Sequence, residues 1–147
     1  RPCPGLTRVD VTATLSRVRR WARRRCLTLL PVGTTCCAIE LDAALGPVFD
    51  PSHHGVEVVD DPAVADVLVV AGRLSQQMAA EIRGLLDQMP PPPGVIAFGS
   101  CAISGGAWGE AGQSVDLTSL VDVDLHIPGC SPSPHHLYDA IQRLRSL

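Results

Sequence analysis

Six cysteines stand in a chain of 147 residues: Cys3, Cys26, Cys36, Cys37, Cys101 and Cys130. An even count can mean disulfides in a secreted protein. Against that, Cys36 and Cys37 are adjacent, a poor geometry for a pair, and in a reducing compartment metal binding is the better reading. The last four follow the pattern Cys-Cys, 63 residues, Cys, 28 residues, Cys. Zinc sites usually draw ligands in close pairs such as C-x2-C, and this spacing is different. Side chains of adjacent residues diverge, so two neighbouring thiolates suit a target with separated corners, such as an iron–sulfur cubane, better than a single ion. Spacing alone leaves three readings open: a cluster, a zinc ion or structural cysteines. Other chemically capable residues carry weaker signals. His53-His54 and His135-His136 read as solvated pairs, Cys26 as an inert thiol in a strand, and Glu40 as a carboxylate near a helix start. Arg73 and Trp108 follow strands and could face another subunit.

The elements that must position the cysteines can be read from hydrophobic periodicity. Residues 26–32 are a short apolar run that predicts a strand, and 33–37 a loop at its carboxyl end. Residues 38–45 predict a helix ended by Gly46-Pro47. Residues 56–59 predict a short strand, and 65–71 (ADVLVVA) a central parallel strand buried on both faces. Residues 75–89 predict a helix capped by Ser75, with Met78, Ile82, Leu85, Leu86 and Met89 on one face. After the Pro90–Pro93 run, 95–98 and 123–127 predict strands, and 99–109 a glycine-rich loop. Ser133-Pro134 predicts the start of a last helix, with Ser133 as its cap, that buries Leu137, Ile141 and Leu144. Strands alternating with helices predict a doubly wound, flavodoxin-like α/β fold with a parallel sheet. Sites in such folds form beyond the carboxyl ends of strands, which is where Cys36, Cys37, Cys101 and Cys130 fall. A basic helix is predicted over 11–25, so the chain reads as an N-terminal arm, 1–25, and one α/β domain, 26–147.

Four segments resemble one family. They are Gly33-Thr34-Thr35-Cys36-Cys37-Ala38-Ile39-Glu40; residues 65–72 with Gln88-Met89-Pro90; Gly99-Ser100-Cys101-Ala102 through Gly105-Gly106; and residues 123–132, ending Pro128-Gly129-Cys130-Ser131-Pro132. Together, over roughly residues 27–145, they resemble the small cluster-bearing component shared by respiratory complex I, as its B subunit, and membrane-associated NiFe hydrogenases. The resemblance implies one 4Fe–4S cluster ligated by Cys36, Cys37, Cys101 and Cys130, with no proton-transfer residue and no catalysis by the chain alone. It also implies a large catalytic subunit, a ferredoxin-like iron–sulfur subunit and, through them, membrane subunits, at the inner face of the plasma membrane. Gly99, Gly105, Gly106 and Gly129 suit close approach of backbone N–H groups to such a cluster. The adjacent cysteines and Ala38-Ile39-Glu40 resemble complex I. Residues 41–50 look more like the hydrogenase group, methionines are absent near Leu41 and Asp42, and 107–122 is poor in aromatics. These features lean the expectation to a hydrogenase or formate-hydrogenlyase-like complex, with the B subunit of a complex I-type NADH:quinone oxidoreductase as the alternative. A reading of another class is a flavodoxin-like binding module with structural or zinc-bound cysteines.

Composition narrows the classes. Hydrophobic residues are 46% and charged residues 18%, which excludes a disordered chain. A mean hydropathy of +0.19 hints at contacts with partner subunits. No apolar run is long enough for a membrane-spanning helix. All 12 basic residues are Arg; residues 1–30 carry a balance of +7 and 31–147 of −10. The basic stretch lacks interleaved aromatics and a reading motif, so nucleic-acid binding is not expected. It reads as a solvated arm or an anchor on an acidic partner or anionic membrane. Arg23-Arg24-Arg25 resembles a twin-arginine signal, but the apolar stretch before Pro31 falls short of the roughly 7–15 residues a signal needs.

Overall fold

The structure, a computed structural model, describes residues 26–109, 112 and 114–146. Cys3 and the basic helix expected over 11–25 lie outside the described residues. Five strands pair in parallel: β1 (Leu27–Gly33), β2 (Val56–Val58), β3 (Val67–Ala71), β4 (Gly94–Phe98) and β5 (Leu125–Ile127). Their spatial order is β2-β1-β3-β4-β5, the flavodoxin-like order. β3 lies at the centre, between β1 and β4, and all five of its residues are buried. This is why its sequence is continuously apolar rather than alternating.

The two-residue period of the strands sorts the core into two layers. Leu29, Val67, Val69, Ile96 and Phe98 face helices α1 (Thr35–Leu45) and α4 (Pro134–Ser146), meeting Leu41, Ala44, Leu137 and Ile141. Leu30, Leu68, Val70, Val95 and Ala97 face the other way, onto α2 (Gln76–Gln88) and the single-turn α3 (Ser100–Ser104), meeting Ile82 and Ala102. The Ser75 hydroxyl accepts the Met78 N–H at 3.2 Å, so the expected cap forms. Pro134 opens α4 as expected.

Two expectations at the carboxyl edge need correction. The residues after β1 are not a loop through Cys37: α1 begins at Thr35, so both cysteines lie in its first turn. Residues 99–109 are likewise not a plain loop, since Cys101 lies in α3 and a 3-10 turn follows over Gly106–Trp108. Helix starts directly after strands place thiols close to the ends of β1 and β4. Gly33 permits this at β1, because an added Cβ there would meet the Ala38 Cβ at 2.9 Å.

Candidate metal centre

Three strand ends converge. β1 delivers Cys36 and Cys37, β4 delivers Cys101, and β5 delivers Cys130. The backbone ties them together. The Gly99 N–H donates to the Ile127 carbonyl at 2.8 Å, and the Ser100 N–H donates to the Gly129 carbonyl at 2.9 Å. The Ser100 hydroxyl donates to the same carbonyl at 3.1 Å, so one residue clamps the Cys130 turn to the start of α3. On the other side the Thr34 N–H donates to Ala71 O at 2.9 Å, and the Thr34 hydroxyl donates to Arg73 O at 2.6 Å.

All four thiols are free; Cys37 is buried, Cys101 half-buried, and Cys36 and Cys130 are exposed. Burial pushes the Cys37 thiol up to about 12, aided by Cys36, Cys101 and Cys130. Burial also raises Cys101, followed by the effects of Cys130 and Cys36, while the Arg73 guanidinium opposes the rise. Both are thereby held toward the neutral thiol, and a cationic group bound among them would favour thiolates.

Two of the expected glycines stand against sulfur. At Gly99 (φ +96) an added Cβ would come within 2.5 Å of Cys37 Sγ, and at Gly106 (φ +58) within 2.7 Å of Cys101 Sγ. Both conformations favour glycine, and both leave backbone next to a thiol where any side chain would intrude. Gly105 instead caps α3, its N–H donating to Cys101 O at 2.9 Å. Gly129 packs on Pro132 and supplies the carbonyl that Ser100 holds. Thr35 is, among the described residues, the one β-branched residue in the left-handed region, at φ 61; such strain gathers at functional sites.

Among the described residues, no three or more His, Cys, Asp or Glu side chains group closely enough to hold a single metal ion. A cubane takes one thiolate at each of four separated iron corners, so its ligands need not close round one point. Four thiols from three strand ends match that demand in type and number.

Other expected residues lie elsewhere. His53 is paired with Asp50 at 3.6 Å, His54 stacks on Tyr138 at 4.0 Å, and His135 meets Phe49 edge-on at 5.0 Å. His54, Phe49, His135 and Tyr138 line an open cavity of about 520 Å³ between α4 and the turn after α1, away from the cysteines. Glu40 lies in the second turn of α1 rather than at its start, because the helix begins early. Cys26 lies ahead of β1 and is disulfide-bonded, contrary to the expectation of an inert thiol within the strand. Trp108 is exposed, as is Ile39. Sequence reasoning did not single out Thr34 and Ser100 as clamps. Their positions beside Cys36 and Cys101 were the available signal.

Comparison with known proteins adds a consistent set of likenesses. The family profile described as NADH ubiquinone oxidoreductase, 20 Kd subunit matches residues 35–144. The chain is 40% identical over 136 residues to the B subunit of NADH-quinone oxidoreductase from Cutibacterium acnes, covering 92% of this chain and 74% of the relative. It is 38% identical to a B subunit of NADH-quinone oxidoreductase from Roseiflexus castenholzii, covering 92% and 86%. Among solved structures, a chain of the membrane-bound sulfane sulfur reductase, an archaeal respiratory membrane complex, superposes with a TM-score of 0.81 at 28% identity, covering 88% of this chain and 73% of that one. A chain of an NAD+-reducing NiFe-hydrogenase gives 0.64 at 14% identity, covering 83% and 92%; this likeness speaks to the fold alone.

Proposed function

The chain belongs to the NADH ubiquinone oxidoreductase 20 Kd subunit family, a component of an oxidoreductase complex, and we propose that it is the electron-transfer subunit of an NADH–quinone type complex. In this reading it holds one 4Fe–4S cluster on Cys36, Cys37, Cys101 and Cys130 and performs no bond chemistry alone. The observation that carries the reading is the convergence of four free thiols from three strand ends that backbone hydrogen bonds join.

The expected lean toward a hydrogenase-type complex gives way to its alternative. The relatives at 40% and 38% identity are B subunits of NADH-quinone oxidoreductases. Within residues 41–50, which contributed to that lean, Leu41 and Ala44 are core residues and the Tyr138 hydroxyl donates to Ala44 O, while Pro47 and Val48 are exposed. A flavin-binding reading is also disfavoured. The Thr34 and Thr35 hydroxyls, which a phosphate would need, already donate to Arg73 O and Thr34 O.

When bound, the cluster supplies a one-electron relay. The chain's part is to present four thiolates, to keep water from Cys37, and to hold backbone close to sulfur at Gly99 and Gly106. Ile39 and Trp108 are apolar and exposed, next to the elements that carry Cys37 and Cys101. They suit contact, close to the thiols, with a large catalytic subunit, and a ferredoxin-like iron–sulfur protein is the partner expected to exchange electrons with the chain. Among the described residues no helix is long and apolar enough to cross a membrane. Peripheral attachment at the inner face of the plasma membrane, through the complex, fits that and the names of the relatives. Residues 26–147 are read as the cluster-binding unit, with 1–25 as a basic arm.

The test is iron and acid-labile sulfide per chain after anaerobic purification, with an EPR spectrum of the dithionite-reduced protein and of Cys101→Ser. About four irons and four sulfides are expected, with a cubane-type signal that is lost or altered in the variant. Zinc, or no metal, in well-folded protein would overturn the assignment.

A further inference from the structure

We propose that Arg73 tunes the reduction potential of this site, acting as a nearby positive charge that favours the reduced form of the cluster held by Cys36, Cys37, Cys101 and Cys130. The inference rests on the cluster reading above. It concerns a residue that ligates nothing and transfers no proton.

Topology gives Arg73 its place. It follows β3, which lies between β1 and β4. Its segment therefore leaves the sheet between the segment bearing Cys36 and Cys37 and the one bearing Cys101. The reversal of strand order at β1 and β3 opens a crevice at their carboxyl ends, the usual ligand position in this architecture.

The backbone at Arg73 is fixed on both sides. The Gly72 N–H donates to Phe98 O at 3.3 Å, and Leu74 O accepts the Val115 N–H at 2.9 Å. The Arg73 carbonyl itself accepts the Thr34 hydroxyl at 2.6 Å. Gly72, at φ +87, passes so close to the Thr34 carbonyl that no Cβ could be placed there. The backbone of Arg73 is thus tied to the residue two positions before Cys36, which places its side chain at the crevice edge beside the thiol-bearing segments.

Among the described residues, Arg73 is also the one arginine at that edge. The other arginines among the described residues are Arg83 on α2 and Arg143 and Arg145 near the end of α4. No carboxylate among the described residues pairs with the Arg73 guanidinium, so its field is not cancelled by a neighbour.

The electron balance is simple. Accepting one electron makes the site more negative by one charge and moves no other atom. A nearby cation lowers the cost of that added charge and so raises the potential. Arg73 is exposed, so water and salt weaken the effect without abolishing it at low ionic strength.

The experiment is an EPR-monitored potentiometric titration of the purified complex carrying the full chain, for wild type, Arg73→Gln and Arg73→Lys, with iron and sulfide measured on each. Arg73→Gln is expected to move the midpoint to more negative potential. At the poise that half-reduces wild type, its reduced-to-oxidised ratio should fall several-fold, a tenfold fall being 59 mV for one electron. Arg73→Lys should stay near wild type. Raising salt toward about 1 M, where screening acts within about 3 Å, should lower the wild-type midpoint toward that of Arg73→Gln. This salt arm on wild type also decides the matter if Arg73→Gln fails to load. An unmoved midpoint in Arg73→Gln at equal iron content overturns the inference. So does an equal shift in Arg73→Lys, or a wild-type midpoint that ignores salt. A wild-type protein without iron and sulfide fails at the earlier step and sinks the cluster reading itself; a loaded protein with an insensitive midpoint sinks only the role of Arg73.

Discussion

At the amino edge of the sheet, Arg145 donates through Nη1 to His54 O and through Nη2 to Gly55 O, each at 2.7 Å. Gly55 O also accepts the Leu27 N–H at 2.9 Å. Nearby, the Tyr138 hydroxyl donates to Ala44 O at 2.5 Å, and its ring stacks on His54. At the carboxyl edge four thiols gather, with Arg73 the one arginine beside them among the described residues. Glycines are pressed against two of the sulfurs, and Thr35 is held in a left-handed conformation. One edge ties most of its polar groups to parts of the same chain, Arg145 Nε being buried without a partner. The other gathers thiols that suit the cluster proposed above. The difference separates what holds this fold together from what the fold is for.

A matched pair of substitutions breaks that comparison most forcefully. Gly99 has φ 96 and ψ 154, a region essentially reserved for glycine, where strain costs about 1–3 kcal/mol. Alanine there would also press on the buried Cys37 sulfur at 2.5 Å. Gly99→Ala should therefore lose about 3 kcal/mol of stability and most of its bound iron. Gly84, in α2, has nothing within 4 Å of an added Cβ. Gly84→Ala should gain about 0.5–1 kcal/mol from helix propensity, with iron unchanged. Urea denaturation and iron analysis of both variants check this. Equal iron in the two would remove the special status of the carboxyl edge.

Legibility in the sequence follows the same division. The strands were readable because β3 is buried on both faces and had to be apolar throughout, and because α2 carries its apolar stripe and its Ser75 cap in plain sequence. The four cysteines were readable by type and by their place after strands. Less readable was the exact start of α1, since Thr34 and Thr35 read as loop formers and only the packing of Ala38 on Gly33 shows how early the helix begins. Clamps such as Ser100 on Gly129 join residues 29 apart, and no local pattern encodes such a pair. Residues 41–50 mix buried Leu41 and Ala44 with exposed Val48, so packing and partner demands overlap in one short segment and its sequence does not separate the two branches.

The amino edge offers the next test. Arg145→Met keeps an apolar stem but removes two hydrogen bonds from a charged donor, leaving His54 O without its partner. Bonds of this kind contribute about 1.5–3 kcal/mol each, and Gly55 O keeps the Leu27 N–H, so a net loss of about 2 kcal/mol is expected. Chemical denaturation reads the loss, and iron content should match wild type. A fall in iron with intact folding would show that the two edges are coupled, against the division drawn above.

The smallest effect concerns the only tyrosine in the chain. Burial, and then the Asp50 carboxylate, raise the Tyr138 hydroxyl above its ordinary 10.0. A raised value means that the folded chain holds the phenol neutral more firmly than the unfolded chain does. The stability from that preference is complete below pH 10.0 and is lost as pH climbs from there through the folded value. Because no second tyrosine contributes, tyrosinate absorbance near 295 nm reports this group alone. Its midpoint should lie above 10.0 in folded protein and fall back toward 10.0 in denaturant. Tyr138→Phe should cost about 1 kcal/mol at neutral pH through the lost bond to Ala44 O, and should lessen the decline in stability above about pH 10. A folded midpoint at or below 10.0 would mean that the hydroxyl is open to water, and that the amino edge is not the closed structure its hydrogen bonds describe.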